Sequence, residues 1–425
     1  MIDLRPNRRR FAATALGLAG LAALPSPLRA AAAATGVDTS GLTPITTGIK
    51  PIDAAERAGR IARAQALMAN AGMAAIILEP GASLDYFTGV QWWRSERVTA
   101  AIIPASGEPI IVTPFFEEPS IRQSLGIPAG VRVWQEDEDP LALLAAGLTE
   151  RGAAKAQIGI EESVRFFISD GLATRLPGAR MVSANAVVRA CRLVKTLAEI
   201  ALMQAANDVM LAALRWTHPR IKAGMKPADI AALIDSAVAA LGGKSTGSGV
   251  LLGEASAYPH GSRNPQQVRT SEVVLLDCTC EVGGYAADIS RSFVFGRAPD
   301  EVRRVWDIVA QGQQVAQAAA TLRTPAGQVD DAVRRFYESR GFGPRYQLPG
   351  LSHRTGHGIG MDVHEPVNLV HGETTPLAPG MCFSNEPGLY LPGRFGIRLE
   401  DCFHMTESGP QWFTQPSRSL EAPFG

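Results

Sequence analysis

Three histidines, His353, His357 and His364, fall within twelve residues of a 425-residue chain that has only seven. Four acids stand near them in apolar, strand-like segments. Asp277 follows Val273-Val274-Leu275-Leu276, and Asp288 opens Ile289-Ser290-Arg291-Ser292-Phe293. Glu386 follows Phe383-Ser384-Asn385, and Glu400 follows Arg398-Leu399. A hairpin turning at 281–284, with 282 facing 283, sets Asp277 opposite Asp288; a turn centred on Gly393 sets Glu386 opposite Glu400. Cross-strand partners hold their Cβ atoms about 4.5–5.5 Å apart on one face, so two carboxylate pairs would converge.

Like charges directly opposite one another destabilise a sheet unless a cation compensates them. Four carboxylates and one neutral histidine match two divalent cations, which would acidify a shared water into a ready nucleophile. An oxygen-rich set with a single imidazole favours Mn²⁺, with Zn²⁺, Co²⁺ and Fe²⁺ as competitors. The competing reading is ordinary salt bridging of these acids to arginines such as Arg291 and Arg398.

The elements that must position these groups are legible in outline. Residues 53–73 read as a helix ended by Gly72, followed by a buried strand over 74–78. Leu84 to Gly89, Val98 to Ile103 and Pro109 to Val112 read as strands and turns, 141–148 as a helix and 156–160 as a strand. This alternation predicts an amino-terminal α/β domain over 50–187. From about 192 to 425 the texture changes. Val188 to Ala206 reads as continuous helix, and amphipathic helices near 198–222, 227–242, 301–322 and 326–341 interleave with strand-rich segments. Pro227 and Pro325 each open a helix that ends in glycines and leads into strands, a faint echo of a duplicated unit.

Composition narrows the class. With 41 basic and 41 acidic residues the chain is neutral, which leaves no electrostatic footprint for nucleic acid. Five cysteines in a chain this long are no disulfide scaffold; Cys278 and Cys280 point the same way on one strand, and buried free thiols are expected. Residues 1–34 have the layout of an export signal: Arg8-Arg9-Arg10-Phe11, an apolar run to Leu24, then small residues. The run is short of the roughly 20 residues a membrane span needs. The Arg-Arg-x-Phe order resembles a twin-arginine signal. The expectation is a periplasmic or secreted protein with no stable membrane anchor after cleavage, the alternatives being an ordinary secretory signal or an uncleaved anchor. Two motifs are false leads. Gly243-Lys244-Ser245-Thr246-Gly247 has a helix before it and a strand after it, the reverse of a nucleophile elbow. As a phosphate loop it lacks the first glycine, Val238 standing there.

Taken together, Asp277-x10-Asp288, Gly356-His357-Gly358-Ile359-Gly360 with His364-Glu365-Pro366, Glu386-Pro387-Gly388-x-Tyr390 and Arg398-Leu399-Glu400-Asp401 resemble the pita-bread metallopeptidases. Leu84-Asp85-Tyr86-Phe87-Thr88-Gly89 resembles the amino-terminal domain of the creatinase, aminopeptidase P and prolidase branch. The resemblance implies an α+β fold, a pita-bread catalytic domain preceded by a smaller creatinase-type α/β domain. It implies metal ligands Asp277, Asp288, His357, Glu386 and Glu400, with Asp288 and Glu400 bridging two divalent ions. Glu386 would also act as acid and base. His260 and His364 would stabilise the tetrahedral intermediate, and His353 and Arg398 would serve the substrate pocket, Arg398 also steadying the bridging carboxylates.

The implied activity is hydrolysis of Xaa-Pro bonds in proline-containing peptides, as an Xaa-Pro dipeptidase. The alternatives are an Xaa-Pro aminopeptidase, or a relative acting on a small non-peptide molecule such as a dimethylsulfoniopropionate lyase or an ectoine hydrolase. A homodimer is implied as well, in which Trp92 to Arg97 would reach a partner's pocket or pack against their own sheet. Two positions depart from the family pattern. Cys278 replaces a commoner glycine, and Val367 and Asn368 stand where many dipeptidases have an arginine after His364-Glu365.

Overall fold

The computed structural model describes residues 36–424, so the export signal expected at 1–34 lies outside the described residues. The first helix, α1 (Ala54–Ala71), starts where the Asp53 carboxylate accepts from Glu56 N at 2.8 Å and stops at Gly72. It leads into β1 (Met73–Leu78) of a six-stranded sheet completed by β2 (Ala100–Pro104), β3 (Ile110–Pro114), β4 (Gly130–Trp134), β5 (Gln157–Ile160) and β6 (Arg180–Ser183). Strand order is β4-β3-β2-β1-β5-β6, with β1-β2-β3 antiparallel and the outer neighbours parallel. Helices α2 (Ala82–Thr88), α3 (Glu118–Ser124), α4 (Pro140–Glu150), α5 (Phe166–Arg175) and α6 (Asn185–Leu193) connect the strands. The central strands are buried on both faces, which is why they read as unbroken apolar runs rather than alternating ones.

Two expectations need correction here. Residues 84–89 belong mostly to helix α2, because Leu84 and Phe87 recur at helical spacing and pack into one core. The helix expected over 188–206 is two helices, α6 and α7 (Leu197–Thr217), broken at Val194-Lys195-Thr196. Thr196 caps α7 by accepting from Glu199 N, while the Glu199 carboxylate accepts from Thr196 N at 2.8 Å. This reciprocal pair satisfies two otherwise orphaned donors and starts a new helix.

Two helix-on-sheet layers follow. In the first, α7 and α8 (Pro227–Leu241) pack against an antiparallel sheet of β7 (Lys244–Leu252), β8 (Val273–Val282) and β9 (Tyr285–Val294). In the second, α9 (Asp300–Ala319) and α10 (Ala326–Ser339) cover a five-stranded sheet. That sheet holds β10 (Gly356–Gly358), β11 (Glu365–Leu369), β12 (Cys382–Asn385), β15 (Asp401–Thr406) and β16 (Gly409–Trp412) in the order β11-β10-β12-β15-β16. Between β12 and β15 the chain makes the hairpin β13 (Gly388–Leu391) and β14 (Phe395–Arg398). The faint sequence echo thus corresponds to two helix-pair layers, and the described part of the chain has the expected pita-bread architecture preceded by an α/β domain. All five cysteines are buried free thiols.

The β8–β9 register differs from the expected one. Val282 pairs with Tyr285 around a two-residue loop, Gly283-Gly284, so Thr279 lies opposite Asp288 and Asp277 opposite Ser290. Both loop residues have positive φ (57° and 81°), the conformation of a primed hairpin turn that two glycines adopt without Cβ strain. A two-residue shift keeps side chains on the same face, so Asp277 and Asp288 are diagonal neighbours rather than opposed ones. The second hairpin keeps the expected register. Asn385 pairs with Asp401 and Gly388 with Arg398, which sets residue 386 level with 400.

Candidate metal centre

The two layers meet where β9, β10, β12 and the start of β15 converge. Glu400 bridges to Ser290 through paired backbone hydrogen bonds, stitching the second layer to the first. Asp277, Asp288, His357, Glu386 and Glu400 then line one cavity of about 310 Å³, with His260, His364 and Arg398 also on its wall. One donor atom each from Asp288, His357 and Glu400 lie within 4.8 Å of one another, and all three residues are buried. Of the ligand, catalytic and substrate-pocket residues expected from the sequence, all but His353 border this cavity. His353 stands directly behind it, Nδ1 lying 4.0 Å from Glu386 Oε2.

His357 is oriented by its own strand. Its Nδ1 faces the Gly358 carbonyl at 3.0 Å, which assigns the proton there and leaves the Nε2 lone pair pointing into the cavity. That nitrogen lies 3.3 Å from Glu386 Oε1 and 3.8 Å from Asp288 Oδ2. Burial, reinforced by His364, holds the imidazole down at about 3, so it is neutral and brings no compensating charge.

The carboxylates are under the opposite pressure. Burial and then the neighbouring Asp277 raise Asp288 well above the ordinary carboxylate range, and burial with Asp288 does the same to Glu400. Glu386 is pushed up to about 7, chiefly by burial. Asp288 Oδ1 and Glu400 Oε1 are buried and have no hydrogen-bond partner among the described residues. Two orphaned carboxylate oxygens on residues grouped with a neutral imidazole make a site short of positive charge, and oxygen donors with one nitrogen suit a divalent cation.

Arg398 compensates only one side. It pairs with the Asp277 carboxylate and donates to Ser290 Oγ at 3.1 Å, Tyr390 OH at 3.1 Å and the Pro259 carbonyl at 3.1 Å. Ser290 Oγ is within hydrogen-bond distance of Asp277 Oδ1 (2.8 Å) and Glu400 Oε2 (2.6 Å). Arg398 thus holds Asp277 directly and Glu400 through Ser290. The competing reading from sequence, salt bridging, applies to Asp277, while Arg291 is occupied with Asp401. His353 has both ring nitrogens engaged, Nδ1 at the Arg354 carbonyl and Nε2 at Tyr390 OH, each 2.7 Å away. It orders the tyrosine that in turn meets Arg398.

His364 lies edge-on to His357, with ring centroids 4.3 Å apart, and His260 is exposed and also lines the cavity. His218, His371 and His404 lie elsewhere, against Phe293 and Phe424, Asp331, and Phe413 respectively. Sequence reasoning missed Ser290, whose signal was its position two residues beyond Asp288 on the same strand face. It also missed Ser384, whose hydroxyl accepts from His357 N at 3.0 Å and which shares that strand-face spacing with Glu386. Trp92 and Trp93 stack on each other at 4.4 Å and line an interdomain cavity of about 520 Å³ within their own chain.

Comparison with known proteins gives a consistent pattern. Residues 201–407 match the family described as Metallopeptidase family M24, and residues 60–194 match the Creatinase/Prolidase N-terminal domain. The "Probable dipeptidase PepE" of Mycobacterium bovis is 34% identical over 371 residues, covering 85% of this chain and 95% of that protein. The Xaa-Pro dipeptidase of Lactobacillus helveticus is 30% identical, covering 80% and 92% of the two chains. The crystal structure of dipeptidase PepE from Mycobacterium ulcerans superposes with a TM-score of 0.79 at 32% identity, covering 87% of this chain and 99% of that one.

Proposed function

The chain belongs to metallopeptidase family M24, in the branch that includes prolidase and aminopeptidase P, and from that membership we propose that it is a dinuclear Xaa-Pro dipeptidase. The observation that carries this reading is the convergence of four carboxylates and a neutral imidazole on one cavity, with two buried carboxylate oxygens unpartnered. Asp277, Asp288, His357, Glu386 and Glu400 would hold two divalent ions, Mn²⁺ by preference. When bound, such ions acidify water and polarise a carbonyl.

The chain's own residues divide the remaining work. Glu386 takes the proton released as water attacks and delivers it to the proline nitrogen. His260 and His364, on the cavity wall, donate hydrogen bonds to the carbonyl oxygen as it gains negative charge. Arg398, with Ser290, fixes the acids that would otherwise repel one another.

Proline specificity is supported by the relative from Lactobacillus helveticus, which bears the name Xaa-Pro dipeptidase. Cleavage of longer peptides is the second reading, favoured by the interdomain cavity, which meets the catalytic one at His364 and offers room beyond a dipeptide. Export on the amino-terminal leader and assembly as a homodimer complete the proposal. Assay of Ala-Pro, Gly-Pro and Ala-Pro-Ala with added manganese tests it, with dimethylsulfoniopropionate and ectoine as non-peptide controls. Release of proline from the dipeptides alone is the expected result. Turnover of Ala-Pro-Ala moves the protein to the second reading, and turnover of a non-peptide control without any peptide overturns both.

A further inference from the structure

Resting on the hydrolase reading above, we infer that Arg192 and Lys195 are positioning residues for His364, through which the junction between the two domains sets the catalytic rate. Among the described residues His364 has no hydrogen-bond partner, and the ring it touches is that of His357. Its place is therefore inherited from its backbone, and the next residue, Glu365, is what holds that backbone.

The Glu365 carboxylate is buried and takes four donors. Oε1 accepts from Arg192 Nη2 at 2.6 Å and from the backbone N–H groups of Met361 at 3.0 Å and Asp362 at 3.3 Å. Oε2 accepts from Lys195 Nζ at 2.8 Å. The loop wraps the carboxylate so closely that a Cβ at Gly360 would lie 2.6 Å from Oε1. The same loop is anchored to the metal strand, since the Gly360 carbonyl accepts from Ala286 N at 2.8 Å, two residues before Asp288.

Both cations come from outside the catalytic sheets. Arg192 is on α6 and also reaches Ser83 Oγ on α2 at 2.9 Å and Asp362 Oδ2 at 2.7 Å; Lys195 lies in the break before α7. Burial alone would push Glu365 up, yet Lys195 and Arg192 outweigh it and hold the carboxyl down at about 2. On the far side the loop borders the interdomain cavity, so packing does not confine it there. Without the cations, a buried charge loses its compensation and the loop has space to move.

The full chain labelled at the histidine Cε1 positions tests this, with the His364 signal assigned through His364→Gln. Arg192→Met shifts or broadens that signal and leaves those of His218 and His404 in place. On Ala-Pro it lowers kcat roughly ten- to a hundredfold, with KM and manganese stoichiometry unchanged. Arg192→Lys restores most of the rate, and Arg192→Met costs nothing further in a His364→Gln background. Lys195→Met attacks the same carboxylate from its other oxygen and carries the same expectation should Arg192→Met not fold. An unmoved His364 signal, or equal fold-losses in both backgrounds, overturns the inference. A wild-type chain inert toward Ala-Pro instead removes the hydrolase reading, and the histidine spectrum still decides the positioning.

Discussion

Nε2 of His357 faces Oε1 of Glu386 across 3.3 Å, with the one N–H proton of the neutral ring turned the other way, toward the Gly358 carbonyl. An acceptor lone pair against an ionised carboxylate is repulsive in the protein alone and favourable once a bound cation compensates the charge. Manganese should therefore stabilise the fold. At a concentration a hundred times its dissociation constant the gain is about 2.7 kcal/mol, read as a higher Tm in calorimetry and reversed by chelation. Identical melting with and without metal would refute the site.

Glu386→Gln keeps the side chain's shape and removes its capacity to carry a proton. Expected is a loss in kcat of roughly 10²- to 10⁴-fold on Ala-Pro, measured at saturating manganese so that weaker metal binding does not contribute. Retention of full rate would rule out the acid–base assignment.

Ser290→Ala deletes the hydroxyl that joins Arg398 to Asp277 and Glu400. Outer residues that orient ligands typically contribute 10–100-fold in metal affinity, so titration calorimetry should show manganese binding weaker by about that factor. An unchanged affinity would mean that the backbone bridge between Ser290 and Glu400 holds the acids alone.

Stability should also depend on Glu365 in acid. Against burial, the neighbouring Lys195 and Arg192 depress its folded-state pKa to about 2 from an ordinary 4.5, so its contribution is complete above the unfolded value and disappears as pH falls from there to about 2. The shift corresponds to something on the order of 3 kcal/mol. Chemical unfolding of wild type and Glu365→Gln between pH 2 and 5 should therefore converge toward the acid end. Parallel curves across that window would show that Lys195 and Arg192 do not hold the carboxylate ionised.

Gly356 begins the strand that carries His357, and a Cβ there would lie 2.1 Å from the Ser384 carbonyl oxygen. Backbone cannot yield as a flexible side chain does. Gly356→Ala should cost about 1–3 kcal/mol in denaturant melts and loosen metal binding together with it. A melt identical to wild type would mean that the strand accommodates the methyl group.

The four converging acids were legible because they sit in or beside apolar strands, where an acid has few structural excuses, whereas His357 was picked out of its cluster by the family resemblance. The second hairpin was legible to the residue, its turn being marked by Pro392-Gly393. The first was read two residues out of register, since Gly283-Gly284 can be either the whole loop or half of a longer one, and only the Val282–Tyr285 pair decides. Periodicity of two protected the conclusion, because an even slip leaves Asp277 and Asp288 on one face. Helix α2 was misread because seven residues give too little periodicity to separate a short helix from a buried strand. Ser290 and the Arg192–Lys195–Glu365 cluster were out of reach for a different reason. Hydroxyls are unremarkable in sequence, and ion pairs 170 residues apart leave no local pattern.

All five cysteine sulfur atoms are enclosed, and burial raises every thiol well above its ordinary range, to about 11 for Cys191 and about 12 for Cys280 and Cys382. A thiol that neither ionises nor meets solvent is inert toward oxidants and mixed disulfides alike. Folding consequently forms no disulfide. The described residues gain no cross-link in reducing or oxidising surroundings, so the export proposed above would leave their covalent structure unaltered.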